Sequence, residues 1–107
     1  MSKVRKIRVP EVVTGKWIAR LIHRSKLRWN GGSLTGGGSY CALGMIAKEA
    51  GFSNSVINKV GTPNVGIAPI NDNCRSREEV VRAFCNVPPT RKFRLGAWIK
   101  RLKERSV

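Results

Sequence analysis

The chain is poor in the side chains from which most active sites are built. Its 107 residues include one histidine, His23, three cysteines and six carboxylates. Cys41, Cys74 and Cys85 form no C-x-x-C pair, and with a single histidine they do not make up a structural zinc site. One disulfide fits the count, but reduced thiols in a reducing compartment are the more economical reading. Glu11, Glu49, Asp72, Glu78, Glu79 and Glu104 are scattered, without the pairing that acid–base chemistry needs. No metal and no cofactor are expected. Long apolar runs are missing too: none approaches the roughly 20 residues that span a bilayer. The basic start MSKVRKIRVP is followed by no apolar stretch that would make it a secretory signal. The expectation is a cytoplasmic protein with no membrane partner.

What the chain has in excess is positive charge: 21 Lys and Arg against 6 Asp and Glu, a formal +15. Its distribution is uneven. Residues 1–28 carry nine basic groups and one acidic, residues 29–74 two of each, and residues 75–107 ten basic and three acidic. Two basic blocks therefore flank a neutral middle. Self-repulsion on that scale exceeds what solubility requires and points to an anionic partner.

Residues 1–10 read as an extended basic arm ended by Pro10, and residues 11–107 as one helical domain. Thr14 can cap a helix over about 15–27, with Trp17, Ile18, Leu21 and Ile22 as its apolar stripe. Lys16, Arg20, Arg24 and Arg28 fall at i+4 spacing beside that stripe, an arrangement that costs a few tenths of a kcal/mol per pair. Ser39 can cap a central helix over about 40–50, ended by Gly51. A short helix is expected over about 53–60, then a loop with room for a strand at Val65–Ile70. Ser76 and Glu79 form a capping box for a helix over about 77–86, which Pro88 and Pro89 end. A basic helix over about 92–105 turns Leu95, Trp98, Ile99 and Leu102 inward. The fold class is mainly α: a single small domain of four or five short helices, a glycine-rich loop, and room for one short strand or hairpin. The core spans about residues 15–86.

Three constellations invite a chemical reading, and each has a structural alternative. The loop WNGGSLTGGGSYCALGM places glycines before a helix start, where free N–H groups favour an anion. It lacks the GxxxxGK[ST] and GxGxxG patterns, and no lysine lies between Lys26 and Lys48, so a flexible connector is the favoured reading. Cys41 at a helix start could be an activated thiol, but the one histidine lies upstream, and a small buried cysteine is favoured. Asn71-Asp72 reads as a local turn that satisfies backbone groups. The chain is accordingly expected not to be an enzyme.

W-x-x-G, then C-A-L-G-x-x-x-x-x-A-G, then I-x-x-x-N-D and S-x-x-E-V resembles a family of small proteins found in phages and some bacterial genomes. The matching residues are Trp29, Gly32, Cys41 to Gly44, Ala50-Gly51, Ile67, Asn71-Asp72 and Ser76 to Val80. They fall within about residues 20–85. The family carries no established activity. The resemblance implies a phage-type origin and a shared core in which Cys41 and Asn71-Asp72 are architectural. The basic arm and the helix after Pro89 lie outside the pattern.

The charges therefore carry the functional expectation: a small basic phage-type protein that binds nucleic acid, DNA or RNA, mainly through phosphate. The expected contacts are Lys3, Arg5, Lys6 and Arg8 on the arm and Lys16, Arg20, Arg24 and Arg28 along the first helix. Toward the other end they are Arg91, Lys92, Arg94, Lys100, Arg101, Lys103 and Arg105. Trp29, beside glycines, is the tryptophan expected to be exposed for stacking, with Trp17 and Trp98 in the core. The alternative is an inhibitor or adaptor for host takeover, docking on an acidic face of a host nucleic-acid-processing or defence enzyme.

Overall fold

Hydroxyl caps open three of the helices in the computed structural model, which describes residues 6–107. Lys3 and Arg5 lie outside the described residues. In chain order the elements are β1 (Val12–Thr14), α1 (Gly15–Arg24), β2 (Arg28–Trp29), β3 (Ser39–Tyr40), α2 (Ala42–Glu49), α3 (Asn54–Val60), α4 (Ile67–Asp72), α5 (Arg77–Cys85), β4 (Lys92–Arg94) and α6 (Gly96–Arg105). Thr14 Oγ1 accepts from the Trp17 N–H at 3.2 Å, Ser53 Oγ from Val56 at 3.3 Å and Ser76 Oγ from Glu79 at 3.1 Å. The Glu79 carboxylate reaches back to the Arg75 N–H at 2.7 Å, one residue before the Ser76 N–H that a full capping box would use.

The domain is mainly helical, as its sequence predicts, but three segments depart from expectation. Helix α1 stops at Arg24 because Ser25 turns extended (φ −67°, ψ 140°), which removes Arg28 from the helical stripe and puts it on β2. Helix α6 begins only at Gly96. Lys92–Arg94 instead pair antiparallel with β1, in the register Val12↔Arg94, Val13↔Phe93 and Thr14↔Lys92. Residues expected as loop or strand at 65–70 largely form α4, a sixth helix. Pro69 is compatible with it because it sits in the first turn, where an N–H has no partner within the helix.

Helix α2 is the centre of the domain: Cys41 to Ala47 are all buried. Helices α1 and α5 pack backbone to backbone at Gly15, where a Cβ would lie 2.3 Å from the Phe84 carbonyl oxygen. Phe84 meets Phe93 of β4 edge to face, with ring centroids 6.1 Å apart. Trp98 is 1% exposed and donates its indole N–H to the Gly61 carbonyl at 2.9 Å.

The glycine-rich loop is not a loose connector. Asn30 Oδ1 accepts from the N–H groups of Gly32 and Ser33, and Asn30 Nδ2 donates to Ser39 Oγ. The Gly36 N–H donates to the Ser39 carbonyl at 2.7 Å and the Cys41 N–H to the Ser33 carbonyl at 2.8 Å. Strands β2 and β3 close its base as a parallel pair. Its middle lies on α2 so closely that a Cβ on Gly44 would fall 1.9 Å from the Leu34 carbonyl oxygen.

Candidate functional site

Two clefts flank the end of the basic arm. The described part of the arm is tied to α2 by the Ile7 N–H, which donates to the carbonyl of Glu49 at the end of that helix at 3.0 Å. Lys6 packs its stem over Gly51, where a Cβ would come within 2.8 Å of Lys6 Cδ. On one side a cleft of about 340 Å³ opens between the arm and α1. Ile7, Trp17 and Leu21 give it apolar walls, and Arg8, Arg20 and Arg24 surround them with exposed guanidinium groups. Ser25 and Glu49 also line it. Ser25, 8% exposed, donates its hydroxyl to Glu49 Oε2 at 2.6 Å and accepts from the Leu27 N–H at 3.1 Å, which fixes the carboxylate in one orientation.

On the other side of the arm a cleft of about 460 Å³ is lined by Lys6, Arg8 and Lys103, with Phe52 and Ile99 among its apolar groups. Arg8 lines both clefts, so Arg24, Arg20, Arg8, Lys6 and Lys103 form one cationic band drawn from both ends of the sequence. Arg77 supports this band without belonging to it. Its guanidinium donates to the carbonyl oxygens of Leu27 at 2.7 Å, Ile22 and Ser25, satisfying the backbone where α1 ends.

The remaining expected contacts are spread elsewhere. Lys16 lines a separate groove of about 350 Å³ against α5, with Arg20, His23 and Cys85. Arg28 is exposed on β2, Lys92 and Arg94 on β4, and Lys100, Arg101 and Arg105 on α6; none of them lines either cleft beside the arm. The Arg91 guanidinium lies 5.2 Å from the centroid of the Phe93 ring.

The tryptophans do not divide into exposed and buried as expected: Trp98 is buried, while Trp17 and Trp29 both pack, half-buried, against the core. Trp29 is half-buried against the core and donates its indole N–H to Asn71 Oδ1 at 2.8 Å. Trp17, assigned to the core from its spacing, is half-buried and lines the arginine cleft. Position alone distinguishes it: Trp17 and Leu21 lie at i and i+4 between the buried face of Ile18, Ala19 and Ile22 and the stripe of Arg20 and Arg24. Glu49, Ser25 and Arg77 carry no such signal, because their partners lie 24 or more residues away.

The start of α2 is closed to a phosphate. Asn71, 1% exposed, accepts there from the Ala42 N–H at 2.9 Å, taking the cap expected of Ser39, whose hydroxyl instead donates to the Gly36 carbonyl. Cys41 is 7% exposed. Burial pushes its thiol above the ordinary value, against the opposing pull of the Gly44 and Leu43 backbone. His23 is exposed on α1 and faces α5. Among the described residues no group of three or more His, Cys, Asp or Glu could hold a metal ion, and no helix is long and apolar enough to cross a membrane. Comparison with family models, with curated proteins and with solved structures finds no match to this chain.

Proposed function

We propose that this protein binds nucleic acid chiefly through phosphate contacts. One observation carries the reading: the band of Arg24, Arg20, Arg8, Lys6 and Lys103 beside two clefts whose walls include Trp17 and Phe52. Cations alternating with apolar and aromatic surface suit a polyanion whose charged backbone carries flat bases. Two carboxylates, Glu49 and Glu11, line these clefts beside the band. Glu49 accepts from the Ser25 hydroxyl, and the Glu11 side chain packs its stem over Gly96, where a Cβ would meet its Cγ at 3.1 Å.

The test is binding of labelled duplex and single strand, followed by fluorescence anisotropy from about 50 to 200 mM salt. Affinity should fall with a log–log slope of about −0.9 per phosphate neutralised on duplex, or about −0.7 on a single strand. The triple variant R8Q/R20Q/R24Q should reduce the slope by about 2 to 3. A response flat in salt overturns the proposal. So does a stoichiometric protein partner that survives nuclease treatment of a lysate when no nucleic acid binds the purified protein; that result assigns the band to an acidic protein face.

A further inference from the structure

The cleft between the arm and α1 holds a group that phosphate binding has no use for. Glu49 places a carboxylate among Arg8, Arg20 and Arg24, where it repels any phosphate that the arginines attract. It is held there by the Ser25 hydroxyl at 2.6 Å, in a cleft with Trp17 as an aromatic wall and Leu21 and Ile7 as aliphatic ones. A fixed acceptor beside an aromatic face is how an unstacked base is read, by hydrogen bonds to its edge and stacking on its plane.

We propose that this cleft receives a guanine base from single-stranded nucleic acid. Glu49 accepts from the guanine N1–H and 2-amino group, Trp17 packs on the ring, and the three arginines take the flanking phosphates. This rests on the proposal that the protein binds nucleic acid. The choice of base follows from the acceptor. Of the four bases only guanine presents two adjacent N–H donors on its pairing edge. Adenine and cytosine set one amino group beside a ring-nitrogen acceptor, and uracil or thymine sets one N–H between two carbonyls. Each of those acceptors would face the carboxylate unfavourably, which gives discrimination by repulsion as well as by attraction. A carboxylate has about four lone-pair positions, so accepting from Ser25 leaves room for both guanine donors. The single strand follows from the same edge, which a duplex covers with the complementary base. The volume of about 340 Å³ is enough for one nucleotide.

Short single strands alternating T and G, T and A, or T and C, and a strand of T alone, titrated into the wild-type protein, test the proposal. The T/G strand should bind about tenfold tighter than the others and quench tryptophan emission. Replacing guanine by hypoxanthine removes only the 2-amino group and should lose most of that preference. Glu49→Gln, verified as folded by circular dichroism, should abolish the preference while leaving affinity for the T strand unchanged or higher. Equal affinity for all strands, or for guanine and hypoxanthine, overturns the base pocket. If those strands bind with a steep salt response, the phosphate-binding proposal stands without it. If none binds and duplex does not bind either, both proposals fall together. The hypoxanthine comparison uses unaltered protein, so it decides even if Glu49→Gln fails to fold.

Discussion

Replacing Asn71 by alanine should be among the most damaging single changes outside the apolar core. The Asn71 side-chain oxygen accepts two hydrogen bonds, from the Trp29 indole at 2.8 Å and from the Ala42 N–H at 2.9 Å. It thereby joins α4, β2 and the first turn of α2. Truncation leaves both donors unpaired. Ala42 is fully buried, so its N–H incurs a desolvation cost near the upper end of about 1–3 kcal/mol, whereas the half-buried indole can reach water and costs about 1. Because the Ala42 bond is also the cap of α2, its loss is already counted, and the expected destabilisation is about 3–4 kcal/mol. That is a large share of the roughly 5–15 kcal/mol that holds such a domain together. Urea unfolding followed by far-UV circular dichroism should show the midpoint falling by about 2 M. Thermal unfolding should shift downward by about 12–16 °C. Trp29→Phe removes one of the two donors while the Asn71 oxygen keeps Ala42, so it should cost about 1 kcal/mol. The two changes share a hydrogen bond and should be non-additive by a similar amount. A cost below 1 kcal/mol for Asn71→Ala, or strict additivity with Trp29→Phe, would refute this account of the junction.

Three further outcomes follow from the same geometry. Arg77→Ala strips three backbone carbonyls of their charged donor and should cost about 2–3 kcal/mol in chemical denaturation; Arg77→Lys should restore only part of this, since an ammonium cannot fork between them. Gly44→Ala forces a Cβ into the Leu34 backbone and should cost more than about 2 kcal/mol, whereas Gly32→Ala, with nothing within 4 Å, should be neutral or stabilising by up to about 1 kcal/mol. The folded state holds the Cys41 and Cys74 protons more tightly than the unfolded chain does, because burial raises both thiols. Stability should therefore be unaffected by these groups below the unfolded thiol value of about 8.5 and fall as pH rises above it. Cys41→Ala should flatten that alkaline decline, and an equally steep decline in the variant would refute the assignment to Cys41.

What the sequence made legible was whatever one turn of chain decides. Thr14 and Ser76 cap the helices that their spacing predicts, because a hydroxyl and the N–H it accepts lie three residues apart. The central helix was legible for a related reason, since Ala42, Leu43, Ile46 and Ala47 repeat at helical spacing. Pairings across long separations were not legible. Val12–Thr14 gain strand character only from Lys92–Arg94, and α4 is too short to stand without packing on α2 and α5. The α2 cap was misread from the nearest hydroxyl, Ser39, when the acceptor comes from Asn71, 29 residues further on. Trp17 and Trp29 both come out half-buried for the same reason: the groups that complete their surroundings, the arm for Trp17 and Asn71 for Trp29, are distant in sequence.

The basic residues of α1 were legible as charge but not as geometry. Lys16, Arg20 and Arg24 stand on one face at i+4 spacing, each neighbouring pair costing the free helix a few tenths of a kcal/mol. Only Arg24 recovers something locally, from the carboxyl end of the helix dipole. Nothing in the core requires the other two, because Ile18, Ala19 and Ile22 on the opposite side do the packing. The arm adds to the repulsion: the Ile7 contact with Glu49 brings Arg8 to the same cleft as Arg20 and Arg24. A fold that gathers like charges from separate elements, and holds one carboxylate among them with a serine, is less stable alone than one with alternating charges. On the proposed reading an anion relieves that repulsion, and Glu49 rather than the arginines decides which nucleotide supplies it.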